Sequence, residues 1–271
     1  MYRSDSHVHS EFSGDSKEKL EKIIEKAKEL KMDEITITDH LDLDFPMKPN
    51  IFTLDLEKYI ERLKELRKRE KELQIKIGIE IGLQPTLVNR YNSIFENKDI
   101  DFIIGSSHAI SGKDVATKDF FLGKEKNEAH REYFLEVLKN IDLFPEISVY
   151  GHLDFINRYG IGVYKDYKDL DYILHQDIID EILKKLISKN IGIEVNTSGL
   201  RYGLKNFHPH INILKRYKKF GGEIITIGSD SHRSEDIMKD FDIVKKLLKE
   251  LGFNSYCTFK NKKIEYRDLD I

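Results

Sequence analysis

The stretch "SDSHVHSEFSGDS", residues 4–16, sets two histidines one residue apart and an aspartate six residues beyond the second. In an extended segment, residues i and i+2 point to one face, so His7 and His9 can aim two imidazoles at one point in space. That is a metal-ligand geometry, although a lone His-x-His also occurs on solvated strands by chance. The same residue types recur downstream: His40 in "TDH", Glu80 in "GIEIG", His108 in "GSSH", His152 in "GHLD", and Asp230 with His232 in "GSDSH". Nitrogen and oxygen donors without sulfur suit Zn, Mn or Fe.

Something must bring these residues together. Apolar spacing in "EKLEKIIEKAKEL" (18–30) predicts a helix, and the β-branched run "DEITITDH" predicts a strand after it. The alternation continues with helices near 54–73, 86–97, 126–142, 176–189, 209–219 and 236–251, and strands at 75–82, 101–108, 147–152, 191–196 and 223–230. Regular βα units without hairpin signals imply a parallel sheet, and about seven of them in one domain (1–271) imply a closed α/β barrel. The metal-type residues fall at the C-terminal strand ends, where a barrel gathers residues distant in sequence into one mouth. Such a cluster would repel and desolvate itself without cations. The longest non-periodic stretches, 39–53, 109–124 and 156–174, follow strands and are expected to be substrate loops.

Composition excludes other classes. A net charge of −3, from 45 basic and 48 acidic residues, carries no signature of a nucleic-acid binder. No apolar run approaches membrane-span length, and "MYRSDSH" lacks a signal peptide's apolar stretch, so no membrane partner and a cytoplasmic location are expected. The single cysteine, Cys257, permits neither an intrachain disulfide nor a thiolate metal site.

Taken in order, "HVH", "GDS", "TDH", "GIEIG", "GSSH", "GHLD" and "GSDSH" resemble the polymerase-and-histidinol-phosphatase (PHP) family of metal-dependent phosphoesterases across nearly the whole chain. The resemblance implies a distorted (β/α)7 TIM-like barrel holding two to three divalent ions. One ion is implied on His7, His9, Glu80 and Asp230, a second on Glu80, His108 and His152, and a third on Asp15, His40 and His232. Glu80 must then bridge, which a two-oxygen carboxylate can do and an imidazole cannot. The implied chemistry is hydrolysis of a small phosphate monoester by water activated between metals, with Glu80 and Asp230 in the catalytic centre.

Arg158 and Arg201 stand beyond strand ends, where a planar fork donor suits a phosphate dianion; the alternative is a surface ion pair. Asp42 is expected to contact substrate, and Asp39 to orient an imidazole. "FHPH" (207–210) reads as capping and surface, and His130 and His175 as facing solvent or helix neighbours. Within the family, "HSEFSGDS", "HLDFINRY" and "EVNTSGLR" are most similar to members that hydrolyse L-histidinol phosphate to L-histidinol in histidine biosynthesis. Alternatives are a family phosphoesterase acting on another monoester or nucleotide, a metal-dependent amidohydrolase, and a non-catalytic module. Many amidohydrolases carry a bridging lysine that "DFIIGSSH" lacks, and a non-catalytic module predicts missing ligands where all nine positions are filled. Neither spacing nor composition fixes oligomeric state.

Overall fold

The computed structural model describes residues 2–164 and 171–269. Its strands are β1 (Ser4–Val8), β2 (Glu34–Ile37), β3 (His40–Leu41), β4 (Gln74–Gly82), β5 (Phe102–Ser106), β6 (Ala109–Ile110), β7 (Lys113–Asp114), β8 (Val149–Tyr150), β9 (Gly192–Asn196), β10 (Ile225–Gly228), β11 (Ser255–Lys260) and β12 (Lys263–Asp268). The helices are α1 (Leu20–Glu29), α2 (Leu56–Arg69), α3 (Asn92–Glu96), α4 (Lys118–Phe121), α5 (Lys126–Leu143), α6 (Ile156–Gly160), α7 (Gln176–Ser188), α8 (Ser198–Arg201), α9 (Ile211–Lys219) and α10 (Phe241–Glu250). Seven strands run parallel in the order β1-β2-β4-β5-β8-β9-β10, and β3 extends the pairing on β4. Closure comes just past β10, where Val8 bridges Ser231 and the His9 amide donates to the Ser231 carbonyl at 2.8 Å. The expected (β/α)7 barrel is what the chain forms.

Helices cover the outside because their apolar stripes match the strands' outer residues. α1 buries Leu20, Ile23, Ile24 and Ala27, and α7 buries Ile178, Ile179, Ile182, Leu183 and Leu186. Both pack with Val8, Ile35, Ile37 and Ile193 in one core.

Three departures from the expected elements bear on the site. The region 86–97 is a 3-10 stretch, Pro85–Tyr91, running into the short α3, since Pro85 stands at its first position. β2 stops at Ile37 and pairing resumes at His40. The carbonyls left at that break are taken by buried hydroxyls: Tyr59 donates to Ile37 and Gly78 at 2.9 and 2.8 Å, and Tyr91 to Leu41 and Gly82 at 3.1 and 2.8 Å. The third departure is an unexpected antiparallel hairpin, β11–β12, turning at Asn261 and Lys262 with φ of 49° and 62°. Its Cys257 and Phe259 pack on Phe102, Ile104 and Val149 of the inner strands, away from the strand ends that carry the metal-type residues. Beside them Lys76, 4 % exposed, lies 3.4 Å from both Glu34 and Glu265. Of the expected loops, 109–124 contains β6, β7 and α4, and 156–174 contains α6, while residues 165–170 lie outside the described residues.

The hairpin thus completes the core at one end of the barrel. Phe259→Ala should cost about 3–5 kcal/mol, as for other buried phenylalanines, read as a lower urea midpoint at unchanged slope. Burial pushes the Cys257 thiol up to about 11, so it should resist thiol reagents in the native protein and label faster in the variant. An unchanged midpoint and labelling rate would mean that the hairpin only decorates the surface.

Candidate metal centre

The two leading histidines owe their aim to an irregularity in β1. Asp5 pairs with Ile35 and Val8 with Ile37, so three residues of β1 span two of β2. The extra residue is a β-bulge, and it resets the alternation. Val8 therefore joins the outer core, and His7 and His9 turn inward, both with no exposure. His40 begins β3 opposite Glu80 of β4, and His108 and His152 lie just past β5 and β8. Asp230 and His232 follow β10. His152 (φ 22°) and Asp230 (φ 54°) hold left-handed backbone that non-glycine residues adopt at a cost, as often seen at functional sites.

All nine expected ligands converge. The Glu80 carboxylate has imidazole nitrogens of His7 and His40 at 3.1 Å, His9 at 3.5 Å, His108 at 3.3 Å and His152 at 2.9 Å. Asp230 Oδ1 lies 3.5 Å from His9 and 3.9 Å from His7. Asp15 Oδ2 lies 3.0 Å from His232 Nε2 and 3.6 Å from His40 Nε2. Three triads have donor atoms within 4.8 Å of one another: His7–His9–Asp230, His40–Glu80–His108 and His9–His40–His232. His9 and His40 each serve two triads, so the grouping is more interleaved than the sets that the resemblance implies, in which Glu80 alone is shared.

A set of carboxylates and hydroxyls outside the cluster fixes which nitrogen of each ring faces in. His7 Nδ1 donates to Glu194 Oε1 at 2.6 Å, and His108 Nδ1 to Asp42 Oδ2 at 2.6 Å. Glu194 also accepts from the His152 amide at 2.9 Å and from Asn196 Nδ2 at 3.1 Å, tying two expected ligands to one carboxylate. Ser13 Oγ meets His9 Nδ1 at 3.0 Å and accepts from the His40 amide at 3.0 Å. Two glycines make room for these groups. A Cβ on Gly228 would lie 2.2 Å from Glu194 Oε1, and one on Gly82 would lie 2.5 Å from Asp42 Cγ.

The donor chemistry fits divalent cations. With Nδ1 of His7 and His108 donating outward, their Nε2 lone pairs aim at His9 Nε2 (3.0 Å) and His152 Nε2 (3.4 Å), which only a shared proton or a cation makes favourable. Burial opposes charge throughout, yet Glu80 sits well below the usual carboxylate range because His7, His40 and His108 surround it. Asp230 is lowered likewise, against burial, by His7, His9 and Arg158. Burial and the charges of His232 and His40 push His9 down to about 3. Against burial, Asp42 and Glu80 raise His108 to about 9. A divalent ion would stand where these partial sets of protons stand.

Beside the cluster opens a cavity of about 340 Å³, walled by Phe45, Phe52, Phe155, Tyr159 and Tyr202 and floored by Glu80, His108 and His152. Gly14 lets its covering loop approach: a Cβ there would fall 1.7 Å from the Ile51 carbonyl oxygen. Arg158 reaches this cavity, its guanidinium 4.0 Å from the Tyr202 ring centre and 3.3 Å from Asp230 Oδ2, with Ser198 Oγ as a further acceptor.

Other expectations need correction. Asp42 is 1 % exposed and lies outside the first cavity's lining; its Oδ2 accepts from His108 and its Oδ1 lies 3.7 Å from His40 Nδ1, so it stands behind two imidazoles rather than facing substrate. Asp39 orients no imidazole; it accepts from Ser10 N at 2.5 Å and Ser10 Oγ at 2.6 Å and so pins the turn after His9. Arg201 donates to the carbonyls of Ser229 and Asp230 at 2.6 and 3.0 Å and lies outside the first cavity's lining. His210 does cap α9, accepting from the Asn212 amide, but His208 is fully buried and donates from Nδ1 to Asp154 at 2.6 Å. His130 and His175 keep to the expected helix-neighbour reading: both are buried, His130 on α5 and His175 just before α7, with ring centres 5.6 Å apart. Glu194 was missed because "IGIEVN" reads as an apolar strand; its signal is a carboxylate at the inward position between Gly192 and Asn196.

A PHP domain matches residues 5–198. Histidinol-phosphatase of Lactococcus lactis is 34% identical over 267 residues, covering 98% of this chain and 97% of that protein. A Clostridium acetobutylicum protein named as a probable histidinol-phosphatase is 34% identical over 245 residues, covering 90% and 91%. The crystal structure of the Lactococcus lactis histidinol phosphate phosphatase complexed with zinc, L-histidinol and phosphate superposes with a TM-score of 0.87 at 32% identity, over 97% of this chain and 98% of that one. With a full-length barrel, nine converging ligands and relatives at this level, the chain belongs to the PHP family.

Proposed function

We propose that this chain hydrolyses L-histidinol phosphate to L-histidinol and phosphate, with two to three divalent ions of the Zn, Mn or Fe type held by His7, His9, Asp15, His40, Glu80, His108, His152, Asp230 and His232. The observation that carries the reading is end-to-end likeness to a phosphatase whose structure holds zinc, L-histidinol and phosphate together. Bound divalent ions would supply Lewis acidity, lowering the pKa of water and neutralising phosphoryl oxygens.

The protein's own residues do the rest. Water adds to phosphorus, the P–O bond to the alcohol breaks, and the departing alkoxide takes a proton. Arg158, braced between the Phe155 and Tyr202 rings and by Ser198, offers a preorganised fork to the developing charge on the phosphoryl oxygens. The aromatic wall of the cavity excludes water and suits a flat imidazole. Among the carboxylates lining that cavity, Asp114 alone lies outside the expected ligand set. Its Oδ1 accepts from the Ala116 amide at 2.7 Å and burial raises its pKa, so a cationic amine beside it would be met by a partly desolvated acid. Asp114 is therefore the partner we assign to the substrate's ammonium group.

Chelation should abolish hydrolysis, and one of Zn, Mn or Fe should restore it, in a panel of histidinol phosphate, other monoesters and nucleotides. Preference for a substrate other than histidinol phosphate would overturn the assignment. Asp114→Asn should raise KM for histidinol phosphate about tenfold while leaving kcat/KM on an amine-free monoester nearly unchanged. Equal losses on both substrates would remove Asp114 from amine recognition. Glu194→Gln keeps shape but lets a donor face His7, so metal affinity should fall by about 10- to 100-fold in equilibrium dialysis. Undiminished affinity would show that His7 and His152 hold their places without it.

A further inference from the structure

A second cavity, of about 830 Å³, lies across Asp15, Tyr202, Asp230 and His232 from the first. Those four side chains face both. The first cavity sets Phe45, Phe52, Phe155 and Tyr159 beside Lys48 and Arg158, whereas the rest of the second is lined by Lys17, Glu18, Arg201, Arg233 and Asp236. Its acids outside the expected ligand set are already engaged. Glu18 pairs with Lys22 at 3.0 Å and accepts from the Ser234 amide at 2.8 Å, and Asp236 pairs with Lys239 at 2.9 Å. Its cations are less fully matched, although Arg201 Nε lies 3.7 Å from Asp236. Lys17 makes no ion pair among the described residues, and Arg233 reaches only Glu235, at 3.7 Å and with both side chains about three-quarters exposed. Deeper in, Arg201 Nη1 is buried without a hydrogen bond among the described residues.

Building on the phosphatase reading, we propose that the second cavity is the path by which the phosphate product leaves, separate from the cavity that holds the alcohol. In the first cavity Arg158 can hold the phosphate, but alcohol still bound among the aromatic side chains would stand in the way of its departure there. Through the shared wall of Asp15, Asp230 and His232 the same anion meets a graded series of cations, Arg201 inside and Lys17 and Arg233 at the mouth. Each can take it over from the last along the path.

Charge reversal at the mouth tests this in the metal-loaded protein, with little risk to folding because Lys17 and Arg233 are exposed. In K17E/R233E, phosphate appearance followed with a fluorescent phosphate sensor should slow about tenfold, while L-histidinol forms in a burst. kcat should fall and kcat/KM should hold, since release of the second product follows the irreversible step. Without turnover, association of added inorganic phosphate should slow by a similar factor in stopped flow. Equal slowing of both products within the first turnover, or unchanged phosphate kinetics in both arms, overturns the proposal. Met47→Glu at the first cavity's mouth is the mirror case: slower phosphate release there would place the path in the first cavity instead. Failure of the metal-loaded wild type to hydrolyse any monoester would count against the phosphatase reading, and the phosphate-association arm would still report on the cavity.

Discussion

Glu80 is a carboxylate with no solvent exposure and five imidazoles within 3.5 Å. Few arrangements are harder to build. A lone buried carboxylate would take up a proton, and a lone packed imidazole would stay neutral; together they hold charge only because each offsets the other's desolvation. The ends of β1, β5 and β8 and the start of β3 each deliver an imidazole to this one point at close range, and no single segment of chain can do so. A ring of parallel strands can, because their ends meet.

The surroundings of Glu80 follow from that demand. Rings that must show one nitrogen inward need an acceptor behind the other, hence Glu194 and Asp42. Carboxylates placed behind the rings need space, hence Gly228 and Gly82, where any Cβ would collide. The break between β2 and β3 that sets His40 opposite Glu80 leaves carbonyls to satisfy, hence the buried Tyr59 and Tyr91 hydroxyls. Removing water from the mouth of the barrel raises the electrostatic worth of each of these contacts. It also makes each omission expensive.

Much of this was legible beforehand, because period and residue type survive in a single sequence. The apolar stripes of α1 and α7 and the β-branched runs announce a βα alternation, and six histidines at strand ends announce a shared purpose. What was not legible depends on angles that residue types do not encode. Nothing in "SDSHVHS" marks a bulge, and Asn261-Lys262 lacks the glycine that normally betrays a two-residue hairpin. Asp42 and Asp39 flank His40 with equal plausibility, and only the fold decides that one supports His108 and the other holds Ser10. Arg201 sits five residues past a strand end, yet the turn of α8 carries it to the far side of Asp230.

The bulge in β1 has a consequence for how this strand tolerates change in length. Between Asp5 and Val8 the side chains follow a reading frame of two, and the one extra residue shifts that frame once. Deleting Ser6 would set two residues of β1 against two of β2, so Val8 would keep its place beside Ile37 and His7 and His9 would still face the mouth, with regular pairing in place of the bulge. Elsewhere in a regular strand a one-residue gap reverses every side chain beyond it. The bulge is therefore the one point in β1 where the chain can shorten without turning the His-x-His pair outward, and across sequences built on this barrel the distance from the first β1 residue to that pair should differ by one according to whether the bulge is present.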